Sequence, residues 1–142
     1  MVTEKIDRVV LAVKNLEKAK QFFEDLLNIK FDKVLVDEKN QMVKAIYSSI
    51  GLELVEPTSP NSAVAKFLEK RGEGLYAVVF KVSNLDSSTL KFKEKGIRSV
   101  GNLEIGGLKE IIFHPKDSHG MMIILCEYEE WHPATIAAFF NH

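Results

Sequence analysis

RVVLAVKNLEKAKQFF, residues 8–23, and AVVFKVSNLDSSTLKF, residues 77–92, are two copies of one pattern. At their offset of 69 residues, Val9 meets Val78, Val10 meets Val79, Val13 meets Val82, Asn15 meets Asn84, Leu16 meets Leu85 and Phe23 meets Phe92. Leu11 against Phe80 and Glu17 against Asp86 are conservative exchanges. A fixed internal period points to a duplicated structural unit. Each copy opens with a β-branched run, which suits a strand, and then reaches an asparagine. Asn15 and Asn84 are suited to cap helices, because the side-chain carbonyl accepts an orphan N–H of the first turn. Glu17 and Asp86 then fall near the positive end of the helix dipole. Leu16, Ala19, Phe23, Leu26 and Leu27 recur at helical spacing and predict one apolar stripe on the first helix. Asn28 and Gly96 are expected to end the two helices, since both tolerate the left-handed conformation.

Strand-like runs follow each helix: 33–37, 42–48 and 52–56 in the first half, then 98–100, 108–113 and 121–127 in the second. Pro57, Pro60 and the polar residues around Asn61 separate the halves, and a short amphipathic helix over 63–70 is expected to bridge them. The expected plan is a single domain within residues 1–142. Module 1 covers about 5–57, a linker helix region 58–73, module 2 74–127, and a C-terminal extension 128–142. The fold class is α+β: two βαβββ modules forming a curved mixed sheet, a cup with the helices on its convex face. Strand residues alternate between faces, so the concave side is where a pocket is expected.

The chain has 142 residues, 46% hydrophobic and 27% charged, which fits a globular domain able to bury a core. Nineteen basic residues against twenty acidic leave a formal net charge of -1, so no field of one sign favours nucleic acid. No apolar run approaches the roughly 20 residues that span a bilayer, so no membrane partner is expected. The lone Cys126, beside Ile123, Ile124 and Leu125, reads as an inert thiol in a strand. Together with the absence of a secretory pattern at the first residue, it predicts a cytoplasmic protein.

The segment IDRVVLAVKNLEKAKQFF (6–23), the linker ELVEPTSPNSAVAKFLEKRGEGL (53–75) and the run FHPKDSHGMMIILCE (113–127) resemble the vicinal-oxygen-chelate superfamily. That superfamily includes glyoxalase I, extradiol dioxygenases and bleomycin-resistance proteins; within it, the linker is similar to that of the methylmalonyl-CoA epimerases. The resemblance runs from about residue 5 to residue 127. It implies a metal site whose ligand positions fall at Arg8, Glu53, Ala77 and Ile124. Only Glu53 is an oxygen donor suited to a cation. Of the two bases the resemblance implies, one falls at Ile124 and the other near Asn40, with Asp37 and Glu38 close by. A divalent ion held for thioester chemistry wants roughly four to six donors, so no metal and no other cofactor is expected here.

The pocket expected from register and resemblance comprises Arg8, Val10, Glu53, Val55, Ala77, Val79, Met122 and Ile124. No catalytic residue is assigned; Glu53 is the candidate. Arg8 either reaches solvent from the rim, pairs with Glu53 where the metal would sit, or receives a substrate carboxylate. Glu53 lies either in the cup or on a solvated face. His114 and His119 are read as structural or ligand-contacting rather than metal-binding. Lys116 is a weak candidate for an anionic cofactor tail, and Met121, Met122 and Cys126 are read as lining the sheet.

The partners implied are a small-molecule ligand, acyl-CoA among the candidates, and a second copy in a homodimer. In the tail, Pro133 fits a first helical turn, and Ile136, Ala137, Phe139 and Phe140 would be its apolar residues. The functional expectation is an epimerase-like pocket protein with a degenerate metal site, working by binding or by metal-free chemistry. Two alternatives stand beside it. One is an active metal-dependent epimerase, or glyoxalase-type lyase, with displaced ligands. The other is a sequestration protein of the bleomycin-resistance kind.

Overall fold

The computed structural model describes residues 2–105 and 107–129; the expected C-terminal helix and the interface role of Phe139 and Phe140 lie outside them. The chain order is β1 (Thr3–Ala12), α1 (Leu16–Leu27), β2 (Leu35–Asp37), β3 (Val43–Tyr47), β4 (Leu52–Pro57) and α2 (Ala63–Arg71). It continues with β5 (Gly74–Val82), α3 (Leu85–Glu94), β6 (Ser99–Ile105), β7 (Leu108–Phe113), a short 3-10 turn (Pro115–Asp117) and β8 (Ile123–Glu127). This is an α+β fold with a mixed sheet, as the duplicated pattern predicts. The described residues divide into two compact units, and β1 contributes its first half, through Arg8, to one and its second half, from Val9, to the other.

In the unit that runs from Val9 to Tyr76, the strand order is β2-β3-β4-β1, with β1 parallel to β4 and the other neighbours antiparallel. Val13, Leu16, Phe31, Ile46 and Leu54 form its core, with Ala19 and Phe23 of α1 packed against them. The stripe on α1 is narrower than its spacing predicts: Leu26 and Leu27 are 65% and 49% exposed. The chain turns back at Asn28, which has the left-handed φ of 52°, and brings Ile29 and Phe31 to that core instead. Glu24 secures the return by accepting the Phe31 N–H at 3.0 Å.

The other unit joins the first half of β1 to the residues from Ala77 on, in the order β1-β5-β8-β7-β6. β5 is parallel to β8, while β7 is antiparallel to both β6 and β8. Val82, Leu85, Phe113 and Leu125 form the core beneath α3, joined by Phe80, Phe92, Ile111 and Ile123. β6 is longer than its sequence suggests, because an irregularity between Ser99 and Gly101 absorbs the glycine and pairing with β7 then continues to Ile105. β8 starts later than expected: His119 and Gly120 take positive φ of 56° and 86°, and only then does the chain straighten.

The repeat extends to how the helices are anchored. Asn15 accepts from Lys18 N at 3.0 Å and Asn84 from Ser87 N at 2.9 Å. Each helix receives a second acceptor from the last strand of its own module: Glu56 takes the Leu16 N–H at 2.9 Å, and Glu127 takes the Leu85 N–H at 2.8 Å. These carboxylates satisfy orphan donors and complement the helix dipole while tying helix to sheet. Replacing Asn15 or Asn84 by alanine should cost about 1 kcal/mol each in urea unfolding, as lost caps do. The two losses should add, since the sites belong to separate units.

Candidate functional site

Side-chain alternation assigns the faces. In the Val9–Tyr76 unit, Leu54 and Ile46 face α1, so Glu53, Val55, Ala45 and Tyr47 lie on the opposite face. Register aligns them in rows: Val10 is opposite Glu53, which is opposite Tyr47, and Ala12 is opposite Val55, which is opposite Ala45. Glu53 is 7% exposed, which rules out the solvated-face reading, and Val10 and Val55 are equally enclosed. Tyr47, 8% exposed and directly across from Glu53, is a candidate the sequence reading missed. Only the β3–β4 register reveals it.

In the other unit, Leu125, Phe113 and Ile111 face α3, leaving Ala77, Val79, Ile124, Cys126, Ile112 and Glu110 on the opposite face. Val79 is opposite Ile124, Ile124 is opposite Ile112, and Glu110 is opposite Cys126. Met122 is half-buried and accepts the Val78 N–H through its carbonyl at 3.1 Å, so it starts the β5–β8 ladder. The eight expected pocket positions thus divide between the units: Arg8, Ala77, Val79, Met122 and Ile124 in one, Val10, Glu53 and Val55 in the other.

Arg8 does not reach solvent from a rim. It is 5% exposed, donating from Nη1 to Asp7 at 2.6 Å and from Nη2 to the Glu110 carboxylate. Asp7 and Glu110 are themselves buried, at 4% and 9% side-chain exposure. Asp7 also accepts from the Tyr128 hydroxyl, and the Lys81 ammonium lies 4.4 Å from the Tyr128 ring centre while pairing with Glu4 at 3.1 Å. The network thus couples charges on β1, β5 and β7 with the tyrosine that follows β8. Burial, and then the Asp7 carboxylate it donates to, push the Tyr128 phenol above its usual range. Burial pushes the Cys126 thiol up to about 12, with the nearby Arg8 guanidinium pulling the other way.

Glu110 and Asp7 were not legible as partners of Arg8. Glu110 sits among apolar residues in LKEIIF, and only the strand order brings β7 toward β1. The remaining candidates have local duties. Asp37 accepts the N–H groups of Asn40 and Gln41 at 3.1 and 3.2 Å, which fixes its carboxylate in the β2–β3 turn. His114 Nδ1 accepts the Lys116 N–H at 3.0 Å and caps the 3-10 turn, while Lys116 and His119 are exposed. Among the described residues, no group of three or more His, Cys, Asp or Glu side chains is arranged to hold a metal ion. An open cleft of about 890 Å³ borders the Glu4, Lys81 and Tyr128 end of this network and is also lined by Asn84, Lys109 and Glu127. None of the expected pocket residues lines it.

Residues 5–125 match the family described as the Glyoxalase/Bleomycin resistance protein/Dioxygenase superfamily. The chain belongs to that superfamily. Within it, the chain is 31% identical over 128 residues to a mitochondrial methylmalonyl-CoA epimerase of Mus musculus, covering 85% of this chain and 71% of that one. A Streptomyces coelicolor methylmalonyl-CoA epimerase solved with 2-nitronate-propionyl-CoA superposes with a TM-score of 0.82 at 28% identity, over 91% of this chain and 100% of that chain. A methylmalonyl-CoA epimerase in complex with methylmalonyl-CoA and ammonium gives a TM-score of 0.81 at 28% identity, over 89% and 96% of the two chains.

Two measurements test the charge network and its surroundings. Arg8→Ala should destabilise the protein by about 3 to 5 kcal/mol in chemical denaturation, because it strands buried carboxylates. The combined replacement Arg8→Met, Glu110→Leu and Asp7→Asn, which leaves neither of these carboxylates stranded, should cost clearly less than Arg8→Ala alone, which separates stranded charge from lost bulk. Cys126 has a folded pKa raised above its ordinary value of 9.0, so the folded state holds the proton more tightly. Its contribution to stability is therefore complete below pH 9 and is lost as pH rises toward about 12. Urea midpoints measured from pH 8.5 upward should fall less steeply in Cys126→Ala than in the unaltered protein.

Proposed function

We propose that this chain is an acyl-CoA pocket protein of the methylmalonyl-CoA-epimerase type whose metal site is degenerate, so that it binds its ligand or acts on it without a divalent ion. The observation that carries the reading is Arg8. At the first ligand position implied by the resemblance stands a permanent cation, buried and engaged with Asp7 and Glu110. A guanidinium cannot donate an electron pair to a metal, and its charge repels one. Ala77 and Ile124, at two further ligand positions, carry no donor atoms at all. The residues present do not fit the metal.

The acyl-CoA class comes from the company this chain keeps. Related epimerases of the same fold were solved with acyl-CoA ligands, and both strand faces carrying the expected pocket residues are largely aliphatic here. Glu53, buried opposite Tyr47, is the carboxylate best placed to act as a base if the protein is catalytic. We propose further that the protein is a cytoplasmic homodimer; a single cysteine buried in β8 suits a reducing compartment.

One purified preparation tests the reading. It should carry far less than one equivalent of cobalt, nickel, zinc or manganese, gain thermal stability with acyl-CoA esters, and run in light scattering at twice the 16.1 kDa chain mass. Any epimerase turnover should survive a chelator. Near-stoichiometric metal whose removal abolishes turnover would overturn the metal-free mechanism, a monomeric mass would overturn the dimer, and recovery outside the cytosolic fraction would overturn the compartment.

A further inference from the structure

Resting on the reading of the chain as an acyl-CoA pocket protein, we propose that the pocket selects uncharged acyl groups and rejects those bearing a free carboxylate. The inference comes from the charges on the pocket side of the Arg8 unit. A pocket that receives a carboxylate needs a cation with attraction left to offer. Here the buried cation, Arg8, is already held by two buried carboxylates, Asp7 at 2.6 Å and Glu110. The nearby Lys81 is likewise matched by Glu4 at 3.1 Å and covers the Tyr128 ring. Each of these cations arrives with its own anion, and around Arg8 the carboxylates outnumber it.

A ligand carboxylate entering this environment meets two barriers. It must shed its water beside two buried carboxylates, and to take the guanidinium edge that Asp7 or Glu110 holds it must displace one of them. The displaced side chain would then be a buried anion without its partner, which is among the costlier arrangements a protein interior can hold. An uncharged acyl group meets neither barrier. It is offered Ala77, Val79, Ile112 and Ile124, four buried aliphatic side chains on the same sheet face as Glu110. Selectivity then arises from a repulsive element as much as an attractive one. Glu110 is the specificity-determining residue in this scheme, because it supplies the negative charge that β7 adds beside Arg8.

Isothermal titration of the unaltered protein with propionyl-CoA, methylmalonyl-CoA and free CoA tests the proposal. These ligands differ in the acyl group and its carboxylate, so propionyl-CoA should bind about tenfold or more tighter than methylmalonyl-CoA. Glu110→Gln keeps the shape and removes one negative charge, and it should shrink that ratio by about threefold or more. Equal or tighter binding of methylmalonyl-CoA to the unaltered protein overturns the selectivity while leaving the acyl-CoA reading standing. A ratio unchanged in Glu110→Gln overturns the role of Glu110. If no CoA compound binds at all, the acyl-CoA reading itself fails, which separates the two. Should Glu110→Gln not fold, the ligand comparison in the unaltered protein still supports or overturns the selectivity.

Discussion

The buried guanidinium of Arg8 sets the terms for the unit around it. A permanent charge at 5% exposure persists only if its hydrogen-bonding capacity and its charge are met inside the protein. Asp7 meets part of this from the neighbouring position on β1, and Glu110 meets another part from β7. β1 and β7 are three steps apart in strand order, ~14 Å on a flat sheet at the usual interstrand spacing. Arginine and glutamate side chains together barely span that distance, so the ion pair requires the sheet of this unit to bend toward the face opposite α3. The same bend brings Tyr128 to Asp7 and keeps Cys126 dry beside the guanidinium. Curvature and charge pairing are one constraint seen from two sides.

The duplicated module has its own logic. In each copy an asparagine ends the first strand and caps the helix, and a glutamate at or near the end of the last strand reaches the same helix terminus. The first strand runs parallel to the last in both modules, which puts that glutamate beside the start of the helix. A helix of ten or twelve residues gains little from propensity alone and depends on its caps and its packed face. Capping from within the module lets each helix form on its own sheet.

Much of the fold was therefore legible. The offset of 69, the paired asparagines and the β-branched runs led to the strand–helix–strands plan, because capping and side-chain alternation act over a few residues and leave a local imprint. The misjudged boundaries have tertiary causes. β6 runs past the expected 98–100 because the irregularity between Ser99 and Gly101 lets pairing with β7 continue, and α1 exposes Leu26 and Leu27 because Ile29 and Phe31 compete for the same core.

The candidate site divides along the same line. By itself the sequence determined that Ala77 and Ile124 cannot donate to a metal and that Arg8 is a fixed positive charge, since these are properties of the side chains and hold in any conformation. It also determined that Arg8 shares a face with Val10, Glu53 with Val55 and Ala77 with Val79, because alternation along a strand is a local rule, while the burial that placed Glu53 away from solvent came from the structure. Which residues meet across strands was decided by the tertiary structure alone. Glu110 reaches Arg8 from 102 positions away, and Tyr47 faces Glu53 through the register of β3 with β4. Register and sheet curvature emerge from the packing of whole strands against their helices, and no window of neighbouring residues carries that information.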